Sequence, residues 1–202
     1  MTRTVTGLFD HYSDASAAVD QLKASGISDS DISIVSNNTD GRYNEGENDV
    51  AEDAGAGAGI GAVVGGAGGL LTGLGIMAIP GVGPVVAAGW LAATAAGAVA
   101  GAVVGGAAGG LVGALTDSGV DERDAHVYAE GVRRGGTLVT AKVDEFRAAE
   151  AEAILQRSNW VDLPARRTAY EGQGWTSFDS AADPYTAQEV ETERARYPHR
   201  TL

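Results

Sequence analysis

Three observations in this 202-residue sequence predict an α+β fold: a ferredoxin-like sandwich of a βαβ and an αβαβ half, split by a long Gly/Ala-rich α-helical hairpin and followed by a flexible C-terminal tail. First, residues 54–116 contain no Asp, Glu, Lys, Arg or His, yet hold 20 of the chain's 30 glycines. Second, the charged flanks alternate short β-branched runs with amphipathic helical stretches. Third, the flanks echo each other. LFDHYSDASAAVDQL and AKVDEFRAAEAEAIL both run strand, Asp, aromatic, Ala-rich helix, with Asp10 and Asp144 at the strand-to-helix turn. Two such units pairing into one four-stranded antiparallel sheet make this sandwich, and neither alone buries enough surface to stand by itself.

In the first flank, Thr4 to Phe9 reads as a strand. Ser13 or Asp14 is placed to cap a helix whose Ala15, Ala18, Val19 and Leu22 form one apolar stripe. Gly26 suits the left-handed position after that helix, and Asp31 to Ser36 is a second strand. The second flank opens with a helix over Asp121 to Arg134, acidic in its first turn and basic in its last, which complements the helix dipole. Thr137 to Val143 is a strand. Glu145 to Arg157 is a helix with Phe146, Ala149, Ala153 and Ile154 inward, and Trp160 to Leu163 is a short last strand. The divisions are therefore 1–36 and 117–163 for the two halves of one α/β domain, 37–53 for an acidic linker, 54–116 for the hairpin and 164–202 for a polar tail with spaced aromatics. In that tail Thr186-Ala187-Gln188-Glu189 is a capping box.

Within the uncharged middle, Gly57, Gly61, Gly65, Gly69 and Gly73 recur every four residues, as do Gly97, Gly101, Gly105, Gly109 and Gly113. On a helix each series is one bare face where another backbone can approach closely. Ten such glycines, at roughly 1 kcal/mol each, would weaken helices in water. In a bilayer the cost of unpaired backbone groups enforces helix regardless. Pro80, Gly81, Gly83 and Pro84 mark the hairpin turn between helices of about 54–79 and 85–116, each long enough to cross a membrane. A hairpin buried in a soluble oligomer is the competing reading, since Ala and Gly are weakly apolar and acids flank the segment. A glycine-rich linker is the third.

The net charge of −13 argues against a nucleic-acid partner, because phosphates would be repelled. No cysteine is present, which removes disulfides and thiolate metal sites. Met1 to Phe9 has no basic and apolar pattern of a cleavable leader. Gly57-x-Gly59-x-x-Ala62 matches a dinucleotide fingerprint in form only, lacking the preceding strand and the following acid. His11, His126 and His199 fall on three separate elements and form no catalytic or metal-binding set. Arg133 and Arg134, followed by two glycines, are candidate contacts for an anion or lipid headgroup. The plainer reading is a helix end with a glycine cap, and it is favoured. No cofactor or metal is expected.

The segments TVTGLFDHYSDASAAVDQLKASGISDSDISIVS, IPGVGP and YAEGVRRGGTLVT resemble bacterial general stress proteins with a heat-induced stress (YflT-type) domain. The resemblance runs over residues 3–163, and the GW-x-x-FD and PYT pieces of the tail resemble extensions on some members. It implies stress-linked expression, no established enzymatic activity and no catalytic residues. The resulting expectation is a non-enzymatic stress protein that self-associates and is membrane-associated through the glycine ladders. Its α/β domain would lie on the cytoplasmic side of the inner membrane. The alternative is a soluble cytoplasmic oligomer, regulatory or ligand-binding, assembled through the same hairpin.

Overall fold

A computed structural model describes residues 2–41, 75–94 and 110–197. Five antiparallel strands form one open sheet: β1 (Thr2–Phe9), β2 (Ile32–Asn37), β3 (Gly75–Ile79), β4 (Gly83–Ala88) and β5 (Thr137–Asp144), in the order β1-β5-β2-β4-β3. The helices are α1 (Tyr12–Ala24), α2 (Leu111–Asp117), α3 (Glu122–Arg133), α4 (Ala148–Arg157), α5 (Leu163–Glu171) and α6 (Ala187–Ala195), with short 3-10 turns at Asp29–Asp31 and Glu145–Arg147.

The two flanks share this sheet. β1 pairs with β5 from Thr2 opposite Asp144 to Phe9 opposite Thr137, and β2 lies on the other side of β5. Alternate residues of a strand point to opposite faces, and here both faces are covered. On one, Phe9, Ile34, Val86 and Val139 pack under α1 and α4. On the other, Leu8, Val35, Val85 and Leu138 pack with α2, α3 and α5. Burial on both sides explains the adjacent apolar pairs Leu8-Phe9, Ile34-Val35, Val85-Val86 and Leu138-Val139.

Helix α1 buries Ala15, Ala18, Val19 and Leu22, and Gly26 follows at φ 90°. His11 occupies its N-cap position, in place of Ser13 or Asp14. Asp121 caps α3 through its side chain. Helix α4 corrects the expected facing in part: Ile154 is buried as expected, but Phe146 is 82% exposed, Ala149 is exposed and Ala153 is half-buried, while Ala148, Ala151 and Leu155 are buried. The 3-10 turn at Glu145–Arg147 is the reason, since it shifts the phase of the helix that follows. Trp160 to Leu163 is not a strand. Val161 N–H donates one bond to the Leu8 carbonyl on the outer edge of β1, and Asp162 then caps α5.

The largest correction falls in the uncharged middle. Residues 75–79 and 85–88, expected at the inner ends of two long helices, are strands of a β-hairpin whose second strand begins at Gly83. Pro80, Gly81, Gly83 and Pro84 do lie at a turn, but one joining strands. Gly81 and Gly83 take φ of 74° and 99°, a region open to glycine at little cost. Ile76, Ile79, Val82, Val85 and Val86 are β-branched, and they meet a ready partner: Ile34 to Asn37 of β2 pair with Ala88 to Val85. Tertiary pairing here overrides the helical reading of the small residues. The tail is corrected in part. The short helix expected after the Thr186–Glu189 capping box is present as α6, but the tail is not a flexible extension: it is also helical over α5 and packs on the domain, with Tyr170 and Val190 fully buried.

Strand register fixes where the glycine-rich stretches leave the sheet and rejoin it. Asn38 N–H donates to the Pro84 carbonyl at 2.8 Å, so Gly41 lies at the turn end of the hairpin. Gly75 pairs with Ala87 at the opposite end, where a helix begins over residues 90–94. Gly110 is back at the turn end, against Ile79. Each stretch therefore departs from one end of the β3–β4 hairpin and returns at the other. Among the described residues no helix is long and apolar enough to cross a membrane.

Candidate functional site

The densest cluster of charge surrounds the Arg-Arg-Gly-Gly sequence at the end of α3. Arg134 follows the helix and is 6% exposed. Its Nε donates to Glu130 Oε1 at 2.6 Å, one helical turn earlier, and its NH1 donates to Gln173 Oε1 at 2.6 Å and to Glu193 Oε1 at 3.3 Å. Its guanidinium carbon stands 4.0 Å from the centre of the Tyr170 ring. Arg166 grips both oxygens of Asp10 at 2.8 Å and stacks 3.6 Å from the Tyr197 ring. Arg194 donates to the Gly135 carbonyl at 2.8 and 3.1 Å and to Asp40 at 2.6 Å. The space left between Asp10, Gly131, Arg134, Arg166, Tyr170 and Glu193 is about 10 Å³, room for roughly one water molecule.

Local sequence explains the arrangement. The i, i+4 spacing of Glu130 and Arg134 puts both on one helix face. Gly135, at φ 105°, ends the helix, and a Cβ there would lie 2.5 Å from Val190. Its lack of a side chain lets α6 seat directly on the helix end. Burial opposes the charge on Arg134, but the hydrogen bond and charge of Glu130 more than restore it, and its pKa stands above the usual arginine value. Asp10 does the same for Arg166. Burial pushes the Tyr170 phenol well above its usual range, against the pull of the two arginines.

Four carboxylates (Asp10, Asp40, Glu130 and Glu193) answer Arg134, Arg166 and Arg194 within this cluster. Arg133 is also engaged by the chain itself, at Glu130 and at the Asp183 carbonyl (2.8 Å). The candidate anion contacts Arg133 and Arg134 thus each bond the protein's own acceptors, although Arg133 Nε is buried without a partner, and the cavity beside Arg134 is far smaller than a phosphate. Chemically, the arrangement holds the C-terminal segment against α3 and the start of the first glycine-rich stretch.

Of the ten ladder glycines, Gly113 lies in α2 and is buried. Gly57, Gly61, Gly65, Gly69, Gly73, Gly97, Gly101, Gly105 and Gly109 lie outside the described residues, as does His199. His126 accepts a hydrogen bond at Nδ1 from the Phe178 N–H, 3.2 Å away. His11 stands at the N-cap of α1. Among the described residues no group of three or more His, Cys, Asp or Glu could hold a metal ion. Sequence reasoning missed Glu130, Arg166, Glu193 and Arg194. Only the Glu130–Arg134 spacing gave a local signal; the others come together across 59 residues or more.

No protein-family model, curated protein or solved structure matches this chain. Fold and site together define an α+β protein whose C-terminal segment is fastened by ion pairs to the end of α3 and to the loops that follow β1 and β2.

Proposed function

We propose that this chain is a non-enzymatic general stress protein that self-associates, and associates with a lipid bilayer, through glycine-rich segments rooted in an α/β domain. The observation that carries the reading is the pairing of Gly75 with Ala87. It brings Gly75, the described residue that follows the first glycine-rich stretch, beside the strand that leads towards the second, which supports the reading that both ladders, with their small-residue faces, are rooted in one sheet. Close backbone approach along such faces is what small-xxx-small helix pairs require. Under this reading the α/β domain stays in the cytoplasm at the inner membrane.

The finer fold reading, a ferredoxin-like sandwich, is part of the same proposal. It is supported by the β1-α1-β2 unit with β5 inserted between its strands, followed by α4. The bond from Val161 to Leu8 falls on the β1 edge, where a fourth strand of that sandwich would pair.

A second reading, a soluble oligomer of regulatory or ligand-binding type, is favoured by one observation. Residues 75–88, the centre of the uncharged stretch, are committed to the domain's sheet, with Val82 and Val85 at 0% exposure. Vesicle flotation of the full chain with phosphatidylcholine, paired with sedimentation velocity, separates the readings. Flotation that is lost in Gly65→Leu and Gly105→Leu supports membrane association through the ladders. Assembly without flotation favours the soluble oligomer. Unchanged assembly and unchanged flotation in both variants would remove the ladders from either role.

A further inference from the structure

We propose that residues 172–197 are a releasable clasp that keeps the β3–β4 hairpin in the sheet, and with it the roots of both glycine-rich stretches. The inference deepens the function proposed above, and rests on that reading only for what release would accomplish.

The hairpin joins the rest of the sheet through four residue pairs, Ile34 to Asn37 with Ala88 to Val85, whereas β1 and β5 share eight. Its turn is covered by the tail backbone. A Cβ on Gly81 would fall 2.6 Å from the Asp179 carbonyl oxygen and 2.7 Å from Ser180 Cα, and one on Gly83 would fall 2.8 Å from Pro184 Cβ. No side chain fits between turn and tail. The covering segment is itself tied to α3 at two points: Arg133 donates to the Asp183 carbonyl at 2.8 Å, and Phe178 N–H donates to His126 at 3.2 Å. Beyond it, α6 plants Val190 on Gly135 and sends Arg194 to Asp40 at 2.6 Å. Asp40 stands two residues before the first stretch outside the described region. One segment thus holds the hairpin turn and the departure point of the first ladder together.

The chemistry of these contacts suits release. Between residues 172 and 197 the fully buried apolar side chain is Val190, while Trp175 and Phe178 are partly buried against the core and Tyr185 and Tyr197 lie beside arginines; the other fastenings are hydrogen bonds and ion pairs, which water can replace. Regions with few buried apolar contacts open at lower free energy than the global fold. Opening of the clasp would leave the hairpin attached by its four pairs with β2 and by its own apolar contacts.

The test is hydrogen exchange, read by mass spectrometry on the full chain, comparing residues 75–88 with β1 and β5. Arg194→Gln removes the Asp40 pair at similar size, and Val190→Asp removes the apolar anchor. The expected result is exchange about tenfold faster in residues 75–88, with β1 and β5 within about twofold of wild type. Equal acceleration across all strands would overturn the proposal, since the tail would then be one cooperative part of the fold. Unchanged exchange in 75–88 would overturn it as well. Where Val190→Asp fails to fold, Arg194→Gln carries the test. Flotation of the same variants keeps the two ideas apart. Local opening without vesicle binding leaves the clasp standing and removes the membrane reading. Local opening with increased flotation supports both.

Discussion

β1 and β5 pair along eight residues each, with Phe9, Val139 and Ala141 beneath two helices. β4 meets β2 over four, and β3 touches no strand other than β4 among the described residues. The two halves of the sheet draw order from different sources. In the first, β-branched and aromatic residues favour the strand locally, and long pairing adds to it. In the second, a few β-branched residues (Ile76, Ile79, Val85, Val86) stand among Gly, Ala and Pro, which contribute little, and the conformation depends more on β2 at one edge and on the tail at the turn. One sheet thus joins a half that specifies itself to a half specified by its neighbours.

The strongest way to break that contrast is to attack the self-specified half. Phe9 is fully buried, and Phe9→Ala is expected to cost about 3–5 kcal/mol in urea unfolding. Because β4 leans on β2, and β2 on β5, protection should fall in both halves together. A loss confined to β1 would mean that the hairpin holds without the core.

A smaller and more selective lesion lies at the seam. Ser33, fully buried on β2, donates its hydroxyl to the Ala88 carbonyl at 2.6 Å and accepts from the Leu91 N–H at 3.0 Å. One side chain ties both the end of β4 and the helix start at residues 90–94 to the core. Ser33→Ala strands two buried backbone groups, which should cost about 1–3 kcal/mol. Hydrogen exchange should rise in 85–91 and stay near wild type in β1. Equal loss in both would deny the hairpin any independence.

The same contrast decides what was legible in the sequence. Thr4 to Phe9, the α1 stripe, the helix with an acidic first turn and basic last turn after Asp121, and the sharing of one sheet by both flanks could be read because each rests on local pattern or on two incomplete units needing each other. The strands at 75–79 and 83–88 could not. Their Gly and Ala neighbours fit a four-residue repeat, and nothing local says that β2 is waiting as a partner. The arginine cluster was legible only at its helical edge. Arg133 and Arg134 stood out by position, but their acceptors Glu193 and Asp183 come from a tail read as flexible. Asp10 was noticed for its echo with Asp144, yet only Asp10 gained a partner, in Arg166; Asp144 stays exposed.

The finest probe of the two halves uses two buried tyrosines. Tyr128 on α3 donates its hydroxyl to the Thr6 carbonyl of β1 at 3.2 Å and reports on the self-specified half. Tyr170 on α5 lies under Arg134 and reports on the tail. Burial is the largest cause in both and pushes each phenol above its usual value of 10.0; Asp124 adds to the rise at Tyr128, while Arg166 opposes it at Tyr170. A raised folded pKa means that the native state keeps a proton which the unfolded chain releases near pH 10. The associated stability is therefore complete below pH 10 and declines as pH rises towards the folded value. Each tyrosine should cost about 1 kcal/mol between pH 10 and pH 11, seen as a falling urea midpoint. Tyr128→Phe should lower the midpoint at pH 8, through loss of the Thr6 bond, and flatten the alkaline decline. Tyr170→Phe keeps the ring under Arg134 and should flatten the decline with little change at pH 8. If exchange followed at pH 10 and above shows the Tyr170 effect in residues 75–88 and the Tyr128 effect in β1, the two halves titrate separately. Identical alkaline slopes in wild type and both variants would mean that neither phenol is held neutral by its surroundings, and the division drawn between the halves would lose its electrostatic support.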